Sequence, residues 1–339
     1  MAGLARIGAI SVILMLVALL AVLTTAAWPS IQAYGTSFLF SSDWRPNELN
    51  VPMKDGDGHV IIEDGEVVME TIPPSFGALP VIYGTAVSSV LALVFAVPLS
   101  FGTALFLVRL CPKKLIGSVS FLIEFLAAIP SIAFGMWGLF VLSPLLQNYI
   151  EPGLRSALSW IPGVNGWLFE ETVKRGSKVV TSEVPLTGSD LFTGGLVLAI
   201  MILPIITAIS RDVLRNVPRA QIEGTLALGA TWWQSSWEML RYSRSALFGA
   251  VMLGLARASG ETMAITMVIG NNNQIKPSLF APAQTMSSLL ANEFAEASTE
   301  IHRSSLCEVA LILLLMSLIF NVVARWLVVG KGARTSAAA

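Results

Sequence analysis

The chain has 339 residues, 54 % of them hydrophobic and 13 % charged, with a formal net charge of -1 and a mean hydropathy of +0.72. Soluble globular domains carry about a quarter charged residues. The composition therefore excludes an ordinary soluble domain and predicts an all-α polytopic membrane protein.

A helix needs about 20 apolar residues to cross the hydrocarbon core, and six segments qualify, so about six transmembrane helices are expected. The first is Gly8–Ala27, which reads as a retained span because its apolar run is longer than the core of a signal peptide. The loop 28–78 follows. Within it "HVIIEDGEVVME" places Asp64-Gly65 between two β-prone runs, which predicts a hairpin with a type I′ turn. "DGDG" at 55–58 lacks the remaining ligands of a calcium loop and reads as a plain turn. The second segment, Leu79–Leu110, contains Pro98, and the third, Leu115–Leu146, contains Glu124 and is interrupted at Pro130. Both are longer than a perpendicular crossing, so tilted or projecting helices are expected. The loop 147–190 is punctuated by Pro152, Pro162 and Gly163, and its "SKVVTSEV" reads as a strand. The fourth segment is Leu191–Ser210, the fifth Ser245–Gly270 and the sixth Leu306–Val329, with Glu308 expected at the outer interface. This divides the chain into a first helix 1–27, an outer loop 28–78, a transmembrane domain 79–329 and a tail 330–339.

Basic residues orient the helices, because loops retained inside carry the excess of Lys and Arg. With both termini cytoplasmic, twelve Lys/Arg fall in short inner segments and eight in longer outer ones, leaving Arg257 within a span. Cys111 and Cys307 then lie at opposite faces and are not expected to pair, and His59 and His302 fall in polar loops. No His/Cys/Asp/Glu cluster has metal-ligand spacing, and no Ser-His-Asp or Cys-His set points to a hydrolase. "VGKGART" lacks the first glycine and the spacing of a phosphate-binding loop, so the chain has no ATP site of that kind.

Two segments carry the functional signal. The inner loop 211–244 has apolar positions at helical spacing, a break at Pro218, and Gly229 where one helix can end and turn into the next. Its Trp232, Trp233 and Trp237 need lipid interface, the protein's own helices or a partner. An interfacial amphipathic helix and a docking element both fit.

The fifth segment, "GAVMLGLARASGETMAITMVIGN", carries Arg257 and Glu261 in an apolar run. On a wheel of about 100° per residue, Gly249, Gly254, Gly260 and Ala264 share one arc with Arg257 and Glu261. Small residues in a membrane helix mark close approach of another helix, so these four are expected at a seam. A charge at the bilayer centre costs about 2.5–3.5 kcal/mol, so such residues usually pair. At i,i+4 spacing Arg257 and Glu261 can form a static ion pair, or they can gate an anion path in which the guanidinium forks around an oxyanion. Glu124 balances an arginine of a neighbouring helix or lies near the cytoplasmic end of its span.

"EGTLALGA" at 223–230 resembles the EAA loop of ABC-transporter permeases, although Gly224 and Thr225 replace the usual alanines and Tyr242 stands where a proline commonly closes the motif. "ARASGETMAITMVIGN", with "ANEFAEA" at 291–297, "FGALPVIYGT" at 76–85 and "IEFLAAIPSIAFG" at 123–135, closely resembles phosphate-importer permeases of the PstC type. The resemblance runs from about residue 76 to the C-terminus and takes in the first span, but not the insertion at 50–72. It implies the ABC importer type I permease fold in a bacterial cytoplasmic membrane. It also implies that Glu223, Gly224, Leu228, Gly229 and Ala230 dock an ATPase subunit; on the reading of the residues above, Arg257, Glu261 and Glu124 are the ones expected at the path or gate. The implied partners are a second homologous permease, an ATPase dimer, an extracytoplasmic phosphate-binding protein and inorganic phosphate. Membrane lipid surrounds the chain and no nucleic acid is involved. ATP and Mg would sit on the partner subunits, with no cofactor on this chain. Three readings stand beside it: a permease for molybdate or sulfate, the sister permease of the same complex, and an ATP-independent carrier.

Overall fold

The structure, a computed structural model, describes residues 2–53, 62–63, 66–158, 160–161, 168–175 and 178–336. Helices take the apolar runs. α1 (Ala2–Tyr34) extends the first predicted span at both ends. α2 (Leu79–Leu105) continues as a π-helical stretch, Phe106–Leu110, and keeps the predicted bounds. α3 (Lys113–Ala128) and α4 (Ser131–Trp137), the latter prolonged by further helical turns to Ala157, meet at 89°. The residue before a proline is driven from the helical to the extended region. Ile129, before Pro130, is indeed extended (φ -65°, ψ 130°). The third predicted segment is therefore a sharp bend, not one tilted rod.

α5 (Leu191–Arg215) opens with Asp190, whose side chain accepts the Thr193 N–H at 2.8 Å. An acceptor there satisfies one of the free donors of a first helical turn. Five shorter or terminal helices complete the chain: α6 (Arg219–Ala227), α7 (Trp232–Tyr242), α8 (Arg244–Ser259), α9 (Met263–Val268) and α10 (Met286–Glu293), then the long α11 (Glu300–Ser336). The predicted tail 330–339 is thus helical as far as Ser336. Among the described residues four helices are long and apolar enough to cross a membrane, or five if the bent pair counts as one span. This is a multi-pass membrane protein, but with fewer single-rod spans than the six predicted. The fifth predicted span is broken at Gly260–Thr262 into α8 and α9.

Three small antiparallel ladders lie in the connecting segments. β1 (Leu49–Pro52) pairs with β4 (Met69–Ile72), and between them in sequence β2 (Ile62–Glu63) pairs with β3 (Glu66–Val67). The hairpin predicted around Asp64-Gly65 is present in its flanking strands. The two turn residues, "DGDG" at 55–58 and His59 lie outside the described residues. β5 (Glu170–Arg175) pairs with β6 (Lys178–Glu183), which takes in the predicted strand.

The main core lies between α2, α5, α8 and α9 and is built from Ala92, Ala96, Leu198, Ile202, Ile206, Ala250, Ala264 and Ile265. Small residues let backbones touch there. A Cβ on Gly84 of α2 would lie 2.0 Å from the Gln284 carbonyl oxygen, so only glycine fits. Gly84→Ala is expected to lower stability by about 1–3 kcal/mol, the usual cost of overpacking. A thermal melt of the purified variant in detergent checks this, and an unchanged midpoint would contradict the packing.

Two polar residues sit deeper than the sequence led us to expect. Glu308, predicted at an interface where it costs little, is 7 % exposed between α11 and α1. Ser30 of α1 donates to its Oε2 at 2.6 Å. His302 belongs not to a polar loop but to the first turn of α11, stacked on Phe76 at 5.3 Å. Its Nε2 lies 3.1 Å from Glu293 Oε2, which also accepts the Trp44 indole N–H at 2.9 Å. Cys111 and Cys307 are both free thiols.

Glu151 and Asp190, both 0 % exposed, face each other across the loop 147–190 within hydrogen-bonding reach. Burial and the neighbouring Asp190 push the pKa of the Glu151 carboxyl up to about 8, against the backbone of Gly188, which lowers it. Two carboxylates in such contact cannot both ionise, so the pair shares a proton. Glu151→Gln, whose amide replaces that proton donor, is expected to keep the parent melting temperature. Glu151→Ala leaves Asp190 buried and unpaired and should cost about 1–3 kcal/mol. Equal losses in both variants would remove the shared proton from the account.

Candidate functional site

The site begins with the broken helix. α8 stops at Ser259, whose Oγ donates to the Ala256 carbonyl at 3.1 Å. Thr262 Oγ1 donates to the Gly260 carbonyl at 3.4 Å, and Ser287 Oγ from α10 donates to the Glu261 carbonyl at 2.6 Å. Hydroxyls bonding nearby carbonyls offer the backbone an alternative to the helix ladder. Thr266 Oγ1 likewise bonds its own helix, at the Thr262 carbonyl. Irregular backbone at membrane depth persists only where it is buried in protein or lines a water-filled cavity.

The break undoes the predicted ion pair. Arg257 stands in the last turn of α8 and is exposed in this chain. Glu261 stands past the break, half-buried, with Oε1 accepting the Ala264 N–H of α9 at 3.4 Å. Among the described residues no ion pair joins them. The i,i+4 geometry needs a continuous helix, and residues 257–261 do not supply one.

The predicted seam divides in the same way. Gly254 lies against α5, where a Cβ would meet Ile206 Cδ1 at 2.6 Å. Ala264 is fully buried, with its Cα 3.0 Å from where a Cβ on Gly135 of α4 would stand. Gly249 has nothing within 4 Å, and Gly260 meets only the Ala256 carbonyl of its own helix. These two are not at a seam within this chain. They share an outward face of α8 with Leu253, 53 % exposed, and Arg257. The face combines small residues and a guanidinium, and among the described residues no Cβ placed on Gly249 would have a neighbour within 4 Å.

Glu124 on α3 pairs with Arg211 of α5, Oε1 to a terminal guanidinium nitrogen at 3.1 Å. Arg211 also holds Asp212 at 2.9 Å. Glu124 is largely exposed, and among the described residues its ion pair is with Arg211, not Arg257.

The loop 211–244 is two helices joined by a tight turn. Pro218 precedes α6. Gly229 takes φ +82° between α6 and α7, a conformation open to glycine and strained for most other residues. α7 is opened by a capping box in which Thr231 and Gln234 satisfy each other's backbone N–H groups. Of the residues assigned to docking, Glu223, Gly224, Leu228, Gly229 and Ala230, none is buried, and Leu228 at the tip is 90 % exposed. Trp233 and Trp237 are 65 % and 60 % exposed. A groove of about 700 Å³ lies between the two helices, lined by Ile222, Thr225, Ser235, Glu238 and Tyr242. The arrangement is a tight helix–turn–helix corner with exposed apolar side chains.

Comparison with known proteins gives the same architecture a family. Residues 96–330 match the model of the binding-protein-dependent transport system inner membrane component. The phosphate transport system permease protein PstC of Mesorhizobium japonicum is 39 % identical over 333 residues, covering 98 % of this chain and 90 % of that protein. The PstC of Pasteurella multocida is 41 % identical over 324 residues, covering 95 % and 89 %. A chain of the MetNI methionine ABC transporter in inward-facing conformations overlays with a TM-score of 0.45 and 17 % identity, covering 74 % of this chain and 94 % of that one. This chain belongs to the family of binding-protein-dependent transport system inner membrane components, where its relatives are phosphate transport system permeases named PstC.

Proposed function

We propose that the chain is a permease subunit of an ATP-driven phosphate importer in a bacterial cytoplasmic membrane, with both termini cytoplasmic. The observation that carries this reading is identity of 39–41 % to PstC permeases along almost the whole chain. The geometry supports it in two places. The α6–α7 corner, with Leu228 exposed at its tip, suits a groove on an ATPase subunit. The outward face of α8 suits a second, homologous permease, and Arg257 on that face would then line a path between the two.

In this reading a soluble phosphate-binding protein delivers phosphate from outside. ATP and Mg are held by an ATPase dimer, whose closure moves α6 and α7 and rocks the helices behind them. Arg257 offers phosphate two parallel N–H donors, which an ammonium cannot. Glu261, freed from Arg257, caps α9 and adds negative charge that discourages an anion from resting there. A guanidinium serves sulfate or molybdate as well, so the choice of phosphate rests on the relatives.

Co-purification tests the ATP-driven part. A tagged chain expressed with its partners is expected to retain the ATPase subunit. A chain that never retains one, with 223–230 intact, would be a carrier of another class.

A further inference from the structure

The corner formed by α6 and α7 must pass its movement to the spans, and the structure shows a specific place where it touches one. α2 does not end as a plain α-helix. Its last five residues, Phe106–Leu110, are π-helical. A π turn holds one residue more than an α turn and so rotates the side chains beyond it around the axis; such turns often occur at functional sites. Arg109 is carried on this turn. Its guanidinium carbon lies 5.7 Å from the centroid of the Trp232 ring, the first residue of α7. A terminal guanidinium nitrogen donates to Ser235 Oγ, one turn further on, at 3.3 Å. Ser235 is 1 % exposed, and Thr225 Oγ1 of α6 lies 3.2 Å from the same oxygen. One arginine thus meets both an aromatic face and the polar joint between the two corner helices. A guanidinium within about 6 Å of a tryptophan face is held by the ring quadrupole, more firmly where water is excluded.

We infer that Arg109 is a positioning residue that transmits movement between the α6–α7 corner and α2 by gripping Trp232 and Ser235. The inference rests on the proposed function, because transmission has meaning only if an ATPase docks at the corner. Leu228 and Gly229 make the docking tip, whereas Arg109, Trp232 and Ser235 form the root that ties it to a span. Substitutions at the root should therefore separate docking from coupling.

The test uses the full complex in proteoliposomes, with two readouts from the same vesicles: phosphate accumulated per ATP hydrolysed, and stimulation of hydrolysis by the loaded binding protein. Arg109→Ala and Trp232→Leu are each expected to retain the ATPase subunit. Both readouts should fall by about 3-fold or more, within the range by which residues along a coupling network act. Trp232→Phe keeps a ring face and should restore most of the loss. The double variant should fall no further than either single one, because both act through one contact. Unchanged readouts in assembled Arg109→Ala, or additive losses in the double variant, would overturn the inference. If Arg109→Ala does not assemble, the pair Trp232→Leu and Trp232→Phe decides it alone. A parent complex that hydrolyses ATP but moves no phosphate counts against the proposed function instead. Binding-protein stimulation then still judges Arg109.

Discussion

Arg257→Ala is expected to reduce phosphate uptake by about 10- to 150-fold, the worth of a charge-assisted hydrogen bond of about 1.5–3 kcal/mol. The complex should remain assembled. Arg257 is exposed and, among the described residues, paired with no carboxylate, so its removal leaves no buried charge behind. Substitutions at such positions usually change stability by no more than about 0.5 kcal/mol. This differs from what a static Arg257–Glu261 pair requires, since breaking one would destabilise the helix bundle. Arg257→Lys keeps the charge but loses the fork, and should recover only part of the rate. Uptake assays beside subunit recovery check this. Normal uptake by the alanine variant would make Arg257 an onlooker.

Gly229→Val is the second large effect expected. Nothing lies within 4 Å of a Cβ at this position, so space is not the obstacle; the backbone is, at φ +82°. A β-branched residue held there costs about 1–3 kcal/mol, which the α6–α7 turn can relieve only by changing its angle. Leu228 and Ala230 then no longer project together. The ATPase subunit is expected to be lost on purification and ATP-dependent uptake to fall to background. Gly229→Asn, which tolerates the left-handed region, should keep both. A valine variant that retains the subunit as the parent does would remove the corner from the docking surface.

These predictions also mark where the sequence could be read and where it could not. α2 and the start of α5 were legible because a continuous apolar run ends at polar or proline residues. Gly229 was legible because a glycine between two helical patterns has few other uses. The bend at Pro130 was underestimated: proline marked an interruption, but its angle depends on Ile129 being driven into an extended conformation. The break at Gly260–Thr262 was not legible, since its cause is a set of hydroxyl-to-carbonyl bonds, one of them from Ser287 far along the chain. The wheel assumed an unbroken helix, and that assumption produced the ion pair. Gly254 and Ala264, expected at a seam with no named neighbour, lie against α5 and α4. The wheel could not tell that Gly249 and Gly260 face away from the chain's own helices, because small residues announce a close neighbour without saying whose it is. Arg109 was counted only as an inner basic residue, although the tryptophans of α7 were already expected to need lipid, the protein's own helices or a partner to cover them. Glu151 and Asp190 were missed because 39 residues separate them and only the fold brings them together.

The central claim is that this chain forms part of a phosphate path driven by ATP on partner subunits. Its most direct test is uptake of labelled phosphate by vesicles containing this chain, the second permease, the ATPase dimer and the binding protein. The account predicts uptake that needs ATP, falls by about 10-fold or more in Arg257→Ala, and is not displaced by excess sulfate or molybdate. Uptake of sulfate or molybdate in place of phosphate, or phosphate entry without ATP, would contradict it.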